Sequence, residues 1–275
     1  MLLGALGLGA AAVGGGELVE HDVLPGRVRA YALLGLDGPA GTVPDAAPGP
    51  VRPGTTDGVD WALCLPPGHA AAGLPVVVAL SGKGNDRDYL LNSLGLPQFL
   101  AASRLPVAIL AVAGGTSYYH PRRDGSDVGG LVLDTLLPQV GQAGLSVARP
   151  AFLGWSMGGY GALLLASRRR QAGLPVTAVA ATSPALWTSY DAGAPGAFDS
   201  AADFTRYGMF ERAALLRGVP VRVDCGTGDP FRYSSEDFAA KVGAEHHSSA
   251  GGHNGAYWRR VLAAELAWLG HALTT

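Results

Sequence analysis

Apolar residues along this chain fall into short blocks separated by glycine- and proline-rich punctuation. Val76–Leu80 and Val107–Val112 are unbroken apolar runs of strand length, the pattern of strands buried on both faces of a parallel sheet. Helical spacing appears over Tyr89–Ser103, Val128–Val140, Met157–Arg170, Ser234–Val242 and Tyr257–Ala272, with Pro138 positioned to shorten the second of these. Ala151–Leu153, Val176–Ala181 and Val221–Cys225 predict further strands, and His246 and His247 fall on a last one. Upstream, Leu18–Val23 and Val28–Leu34 read as a strand pair about the turn Pro25-Gly26. Residues 37–57 read as loop, and Trp61–Leu65 as a strand closed by Pro66-Pro67-Gly68. Alternating strands and helices require right-handed crossovers. The predicted class is therefore α/β, with a mostly parallel sheet, helices on both faces and an antiparallel N-terminal edge. Residues 17–275 form one domain in this reading. Its polar, irregular stretch 186–218, with two short helices, is a small cap-like insertion.

Composition narrows the function. Hydrophobic residues make up 48% of the 275 and charged residues 15%, which suits a chain with a sizeable core. Twenty basic residues against 22 acidic leave no strong field of either sign, so nucleic-acid binding finds no support. The basic run Arg168-Arg169-Arg170 closes a predicted helix, where cations favour the dipole, and reads as a solvated face. Cys64 and Cys225 are too few for a disulfide framework or a zinc site and read as buried free thiols. No histidine pair has zinc-ligand spacing, so neither metal nor other cofactor is implied.

The segment 1–16 bears on localisation. Leu2–Val13 is apolar but too short to span a bilayer. It resembles the apolar part of an export signal, with Ala10-Ala11-Ala12 as a small-residue cleavage site. No Lys or Arg precedes Arg27, so an ordinary apolar terminal helix is the other reading. Export is the expectation, and a cytoplasmic location the alternative. Gly7-Leu8-Gly9-Ala10-Ala11-Ala12 mimics a dinucleotide fingerprint, but no strand precedes it.

The chemistry gathers elsewhere. Gly154-Trp155-Ser156-Met157-Gly158 matches G-x-S-x-G between a predicted strand and a predicted helix, the setting a nucleophile elbow needs. A serine there needs a histidine base, and the base an orienting carboxylate, in the chain order Ser, acid, His. Asp229, in Gly226-Thr227-Gly228-Asp229-Pro230, lies beyond a strand's carboxyl end, where sites gather in such sheets. Asp224 lies within that strand, and a local hydrogen bond explains it more simply. His253 sits in a glycine-rich loop before the last helix. His246 and His247 are weaker candidates, and His21, His69 and His271 are remote. The backbone N–H groups of Met157 and of Lys83, in Leu80-Ser81-Gly82-Lys83-Gly84, are the candidate oxyanion donors. Tyr118, Tyr119, His120, Trp155 and Trp187 are candidate pocket walls. Arg122 and Arg123 could meet an anion, but read more simply as solvated charges.

With these motifs in place, the stretch from Asp60 to Leu269 resembles the putative-esterase branch of the α/β hydrolases, which includes S-formylglutathione hydrolase and the mycolyltransferases. Gly154-Trp155-Ser156-Met157-Gly158-Gly159-Tyr160-Gly161-Ala162 is similar to its elbow, and Leu80-Ser81-Gly82 to its oxyanion loop. Gly226-Thr227-Gly228-Asp229-Pro230-Phe231 resembles its acid loop, His253-Asn254-Gly255-Ala256-Tyr257-Trp258 its base segment, and Gly114-Gly115-Thr116-Ser117-Tyr118-Tyr119 its substrate-lining loop. The chain departs from the mycolyltransferases in having Asp as the acid and in lacking their disulfide. The resemblance implies an α/β-hydrolase fold and a serine esterase acting through an acyl-enzyme on a small-molecule or lipid ester. An acyltransferase to a sugar or lipid alcohol, and a non-catalytic binding protein on a hydrolase scaffold, are the competing readings. Oligomeric state is open.

Overall fold

The computed structural model describes residues 35–274. The segment 1–16 and the strand pair expected over 18–34 lie outside the described residues. Among the described residues, eight strands form one sheet in the order β1-β2-β4-β3-β5-β6-β7-β8. They are β1 (Val51–Thr56), β2 (Val59–Cys64), β3 (Pro75–Leu80), β4 (Ala108–Val112), β5 (Ser146–Trp155), β6 (Val179–Thr182), β7 (Val221–Gly226) and β8 (Glu245–Ser249). β1 and β2 run antiparallel, β2 antiparallel to β4, and the remaining pairs are parallel.

β1 corrects the loop expected over 37–57. Pro53 and Gly54 mask it in sequence, because both weaken a strand interior. They are accommodated because, among the described residues, β1 is the sheet's outer strand and pairs on one side only. A Cβ on Gly54 would strike the Trp61 ring lying across it, so a glycine is what lets that indole pack against the edge.

The central strands are fully buried, and each face carries its own cluster of apolar side chains. Residues alternate between the faces at period 2: Val76, Val78 and Leu80 pack on one side, Val77 and Ala79 on the other. The helices are α1 (Leu96–Ser103), α2 (128–142), α3 (Met157–Gln171), α4 (Ala201–Tyr207), α5 (Met209–Arg212), α6 (Arg232–Val242) and α7 (Gly255–Thr274). The helix expected over Tyr89–Ser103 is broken: a π-turn, Tyr89–Ser93, gives way to α1 at Gly95, whose φ is 80°. In α2, Pro138 does not end the helix. Leu131–Leu136 is π-helical, and the α-helical turns resume at Leu137 with proline in their first turn, where a missing N–H costs least.

The Arg168-Arg169-Arg170 run is not a uniformly solvated face. Arg168 makes a two-pronged bond to Asp127 at the start of α2, with both contacts 3.0 Å. Arg169 is buried and donates to the carbonyls of Ala148 and Pro175. Only Arg170 is exposed. Cys64 and Cys225 are free and buried, and burial pushes the Cys64 thiol up to about 12.

Candidate active site

Four segments meet past the carboxyl ends of β3, β5, β7 and β8. The first is the turn from β5 into α3. Ser156 holds φ 55° and ψ −123°, a conformation that side chains rarely adopt and that costs on the order of 1–3 kcal/mol. The neighbouring glycines make the turn possible. A Cβ on Gly154 would strike the Gly158 carbonyl, and one on Gly158 would strike the Leu80 carbonyl at the end of β3. The helix N-terminus is thereby pressed against the sheet, with the serine hydroxyl at its tip.

The second and third segments bring the acid and the base. Asp229 is fully buried beyond β7. Its Oδ1 accepts the Phe231 backbone N–H at 2.8 Å, and its Oδ2 lies 2.8 Å from His253 Nδ1. An ionised carboxylate only accepts, so Nδ1 carries the proton and Nε2 is left as an acceptor. Nε2 lies 2.8 Å from Ser156 Oγ, which therefore donates to it. Burial alone would raise the Asp229 pKa. The charge and hydrogen bond of His253, the Phe231 N–H and the Ser183 hydroxyl outweigh it, and the carboxyl is held below its ordinary value.

The fourth segment is the loop after β3. A Cβ on Gly82 would lie 3.6 Å from Ser156 Cβ, so backbone runs close beside the serine. The loop is built from below. The Ser81 N–H donates to Val112 O, the Gly114 N–H donates to Ser81 Oγ, and the Tyr119 hydroxyl donates to Ser81 O at 3.1 Å. The N–H groups of Lys83 and Met157 are given no protein acceptor among the described residues.

The five aromatic candidates separate. Tyr118 and Trp187 belong to one array near the base: their rings lie 5.8 Å apart, Trp187 lies 5.5 Å from Phe231, and Phe231 lies 5.4 Å from His253. Tyr118, Tyr119, His120 and Trp155 are buried and do not form an open wall, whereas Trp187 is partly exposed. Tyr119 is the post beneath the Ser81 loop. Trp155 packs under the elbow against Trp258. His120 is stacked between Phe198 and Tyr207. Its Nδ1 lies 2.9 Å from Pro121 O and its Nε2 2.8 Å from Ala197 O, and burial lowers its pKa. Their aromatic type near the site made them resemble pocket walls; their depth was not readable.

Arg122 is not a free solvated charge, whereas Arg123 is exposed. Arg122 pairs with Asp199 at 2.6 Å and donates to the carbonyls of Gly196 and Ala197, while Arg123 donates to Asp199 O. Both tie their loop to the 186–218 stretch. Asp224 is buried in a two-pronged pair with Arg222, two residues away on the same strand, at 2.6 and 2.8 Å, where a backbone or loop hydrogen bond was expected. His247 is exposed on β8 near Glu245, and His69 is exposed beside Pro67 O; neither approaches the relay.

Sequence reasoning missed Ser183. Its buried hydroxyl helps to hold the Asp229 pKa down and accepts from Trp258 Nε1 at 3.3 Å. The available signal was position: Ser183 directly follows β6, at the same carboxyl edge as the other groups.

Among the described residues no group of His, Cys, Asp and Glu is placed to hold a metal ion, and no helix is long and apolar enough to cross a membrane. The "Putative esterase" family matches residues 55–269. No curated protein matches the chain. Solved structures share the fold at low identity. Fluorophosphonate-binding serine hydrolase F of Staphylococcus aureus is 17% identical over 82% of this chain and 99% of its own, with a TM-score of 0.66. An S-formylglutathione hydrolase from Agrobacterium tumefaciens is 17% identical over 81% and 94%, with a TM-score of 0.64. An α/β hydrolase from the metagenome of Lake Arreo, Spain, is 20% identical over 98% and 97%, with a TM-score of 0.67. A family match over most of the chain, on an α/β-hydrolase sheet, makes this protein a member of the putative-esterase family and a carboxylic ester hydrolase.

Proposed function

We propose that the chain hydrolyses carboxylic esters in two steps through Ser156, His253 and Asp229. The observation that carries this is the unbroken relay Asp229–His253–Ser156, with both links at 2.8 Å and its serine on the elbow. His253 Nε2 takes the hydroxyl proton as Ser156 Oγ bonds to the ester carbonyl carbon. Asp229 fixes the imidazole tautomer and stabilises the imidazolium. The backbone N–H groups of Met157 and Lys83 receive the oxyanion. His253 then passes its proton to the departing alcohol, leaving an acyl-enzyme, and activates the water that releases the acid. Trp187 flanks the bound ester.

The test is labelling by a fluorophosphonate together with turnover of nitrophenyl esters. Ser156→Ala should abolish labelling and lower kcat on the order of 10⁴- to 10⁶-fold while the protein stays folded. Undiminished turnover by folded Ser156→Ala protein overturns the assignment.

A further inference from the structure

Two clefts of opposite character are lined by neighbours of the site, Phe231 in one and Lys83 in the other. One, of about 390 Å³, is lined by Leu186, Trp187, Ala194, Pro230 and Phe231 and is mainly apolar. The other, of about 450 Å³, is lined by Lys83, Thr116, Ser117, Arg122, Asp124 and Ser126 and is mainly polar. Tyr118 stands between them. Its ring lies 5.8 Å from Trp187 on one side and 5.8 Å from Lys83 Nζ on the other. The charges of the polar cleft are not equivalent. The Arg122 guanidinium is spent on Asp199 and two carbonyls. The Asp124 carboxylate accepts from the Ser126 N–H and hydroxyl, which hold it below its ordinary pKa. The Lys83 ammonium is exposed and has no carboxylate partner among the described residues. It is the cleft's uncommitted charge, one residue from the backbone beside Ser156.

Which arm of an ester each cleft takes follows from proton transfer. His253 must reach the leaving oxygen, so the alcohol arm lies on the histidine side, against Phe231 and Trp187. The acyl arm then leads away past the Gly82–Lys83 loop. Resting on the esterase reading above, we propose that Lys83 recognises an anionic group at the far end of the acyl arm. The preferred substrates are then half-esters of short dicarboxylic acids with an apolar alcohol. The surrounding hydroxyls of Thr116 and Ser117 supply further donors to such an anion.

Three nitrophenyl-type esters of matched length test this: a neutral acyl ester, the corresponding dicarboxylic half-ester, and an ester whose carboxylate is on the phenol. Wild type should favour the half-ester over the neutral acyl ester in kcat/KM. Lys83→Met should lower that ratio about tenfold, and Lys83→Glu should invert it; a single charge-assisted contact is worth roughly this much. An unchanged ratio in both variants, or a preference confined to the phenol carboxylate, overturns the proposal. Calorimetric binding of the half-ester to Ser156→Ala protein, with and without Lys83→Met, separates the two readings. A Lys83-dependent affinity supports the anion site even if Ser156 proves dispensable to turnover, and an affinity indifferent to Lys83 overturns it even if Ser156 is the nucleophile.

Discussion

Two buried aspartates lie five residues apart, and their partners assign them different work. Asp229 faces an imidazole that gains a charge during reaction, whereas Asp224 faces a guanidinium that is always charged. Asp229→Asn should lower kcat by roughly 10⁴-fold with little loss of stability, because the amide no longer holds His253 in the reactive tautomer. Asp224→Asn should do the reverse. It strands a buried Arg222 without its counter-charge, which typically costs about 3–5 kcal/mol, while the folded fraction turns over ester at nearly the normal kcat. Ester kinetics beside urea unfolding of the two variants would expose an error, which would appear as the opposite pairing of effects. Chain order and position past a strand's end were enough to rank Asp229 above Asp224. The Arg222 partner was not read, although residues two apart share a face of a strand. The burial of Tyr118, Tyr119, His120 and Trp155 was not legible: an aromatic in a loop has the same sequence whether it roofs a pocket or props a turn.

At the scale of elements, the elbow depends on how closely α3 approaches β3. Gly158 carries no side chain because the Leu80 carbonyl occupies the place where one would start. That carbonyl is also where the loop bearing Ser81, Gly82 and Lys83 begins. Gly158→Ala must therefore displace either the helix or the loop, with a cost of about 1–3 kcal/mol or more, and the folded protein should lose kcat as well. Gly68→Ala is the comparison. At φ 73° with open space around it, it should cost about 1–2 kcal/mol in conformational strain and leave kcat unchanged. Equal kinetic losses in the two would mean that close packing at the elbow does not position the catalytic groups. This element was readable because its glycines and apolar strand lie together in sequence. β1 was not, because the features that permit Pro53 and Gly54 in a strand, an edge position and a facing indole, are tertiary. The π-turn in α2 is of the same kind: periodicity locates the helix and says nothing about how it passes its proline.

Among the described residues a second buried acid, besides Asp224, takes no part in the proposed chemistry. Glu265, on α7, reaches across to β6, where the Thr182 hydroxyl donates to it at 2.5 Å. Burial, and the negative charge of Asp224 nearby, push its pKa up to about 8, against the opposing pull of Thr182 and Arg222. In the unfolded chain a glutamate titrates near 4.3, so the folded state binds this proton more tightly. The sign follows from linkage: the proton's contribution to stability is fully present below about pH 4.3, declines as pH rises, and is gone above about pH 8. Glu265→Gln keeps an oxygen for Thr182 and removes the titration. The difference in Tm between Glu265→Gln and wild type should therefore move in the variant's favour from pH 5 to pH 8 and then level off. Taking the difference cancels the titrations that the two proteins share. Thermal unfolding at a series of pH values measures it, and a difference independent of pH would mean that Glu265 is ionised in the folded protein across the whole range.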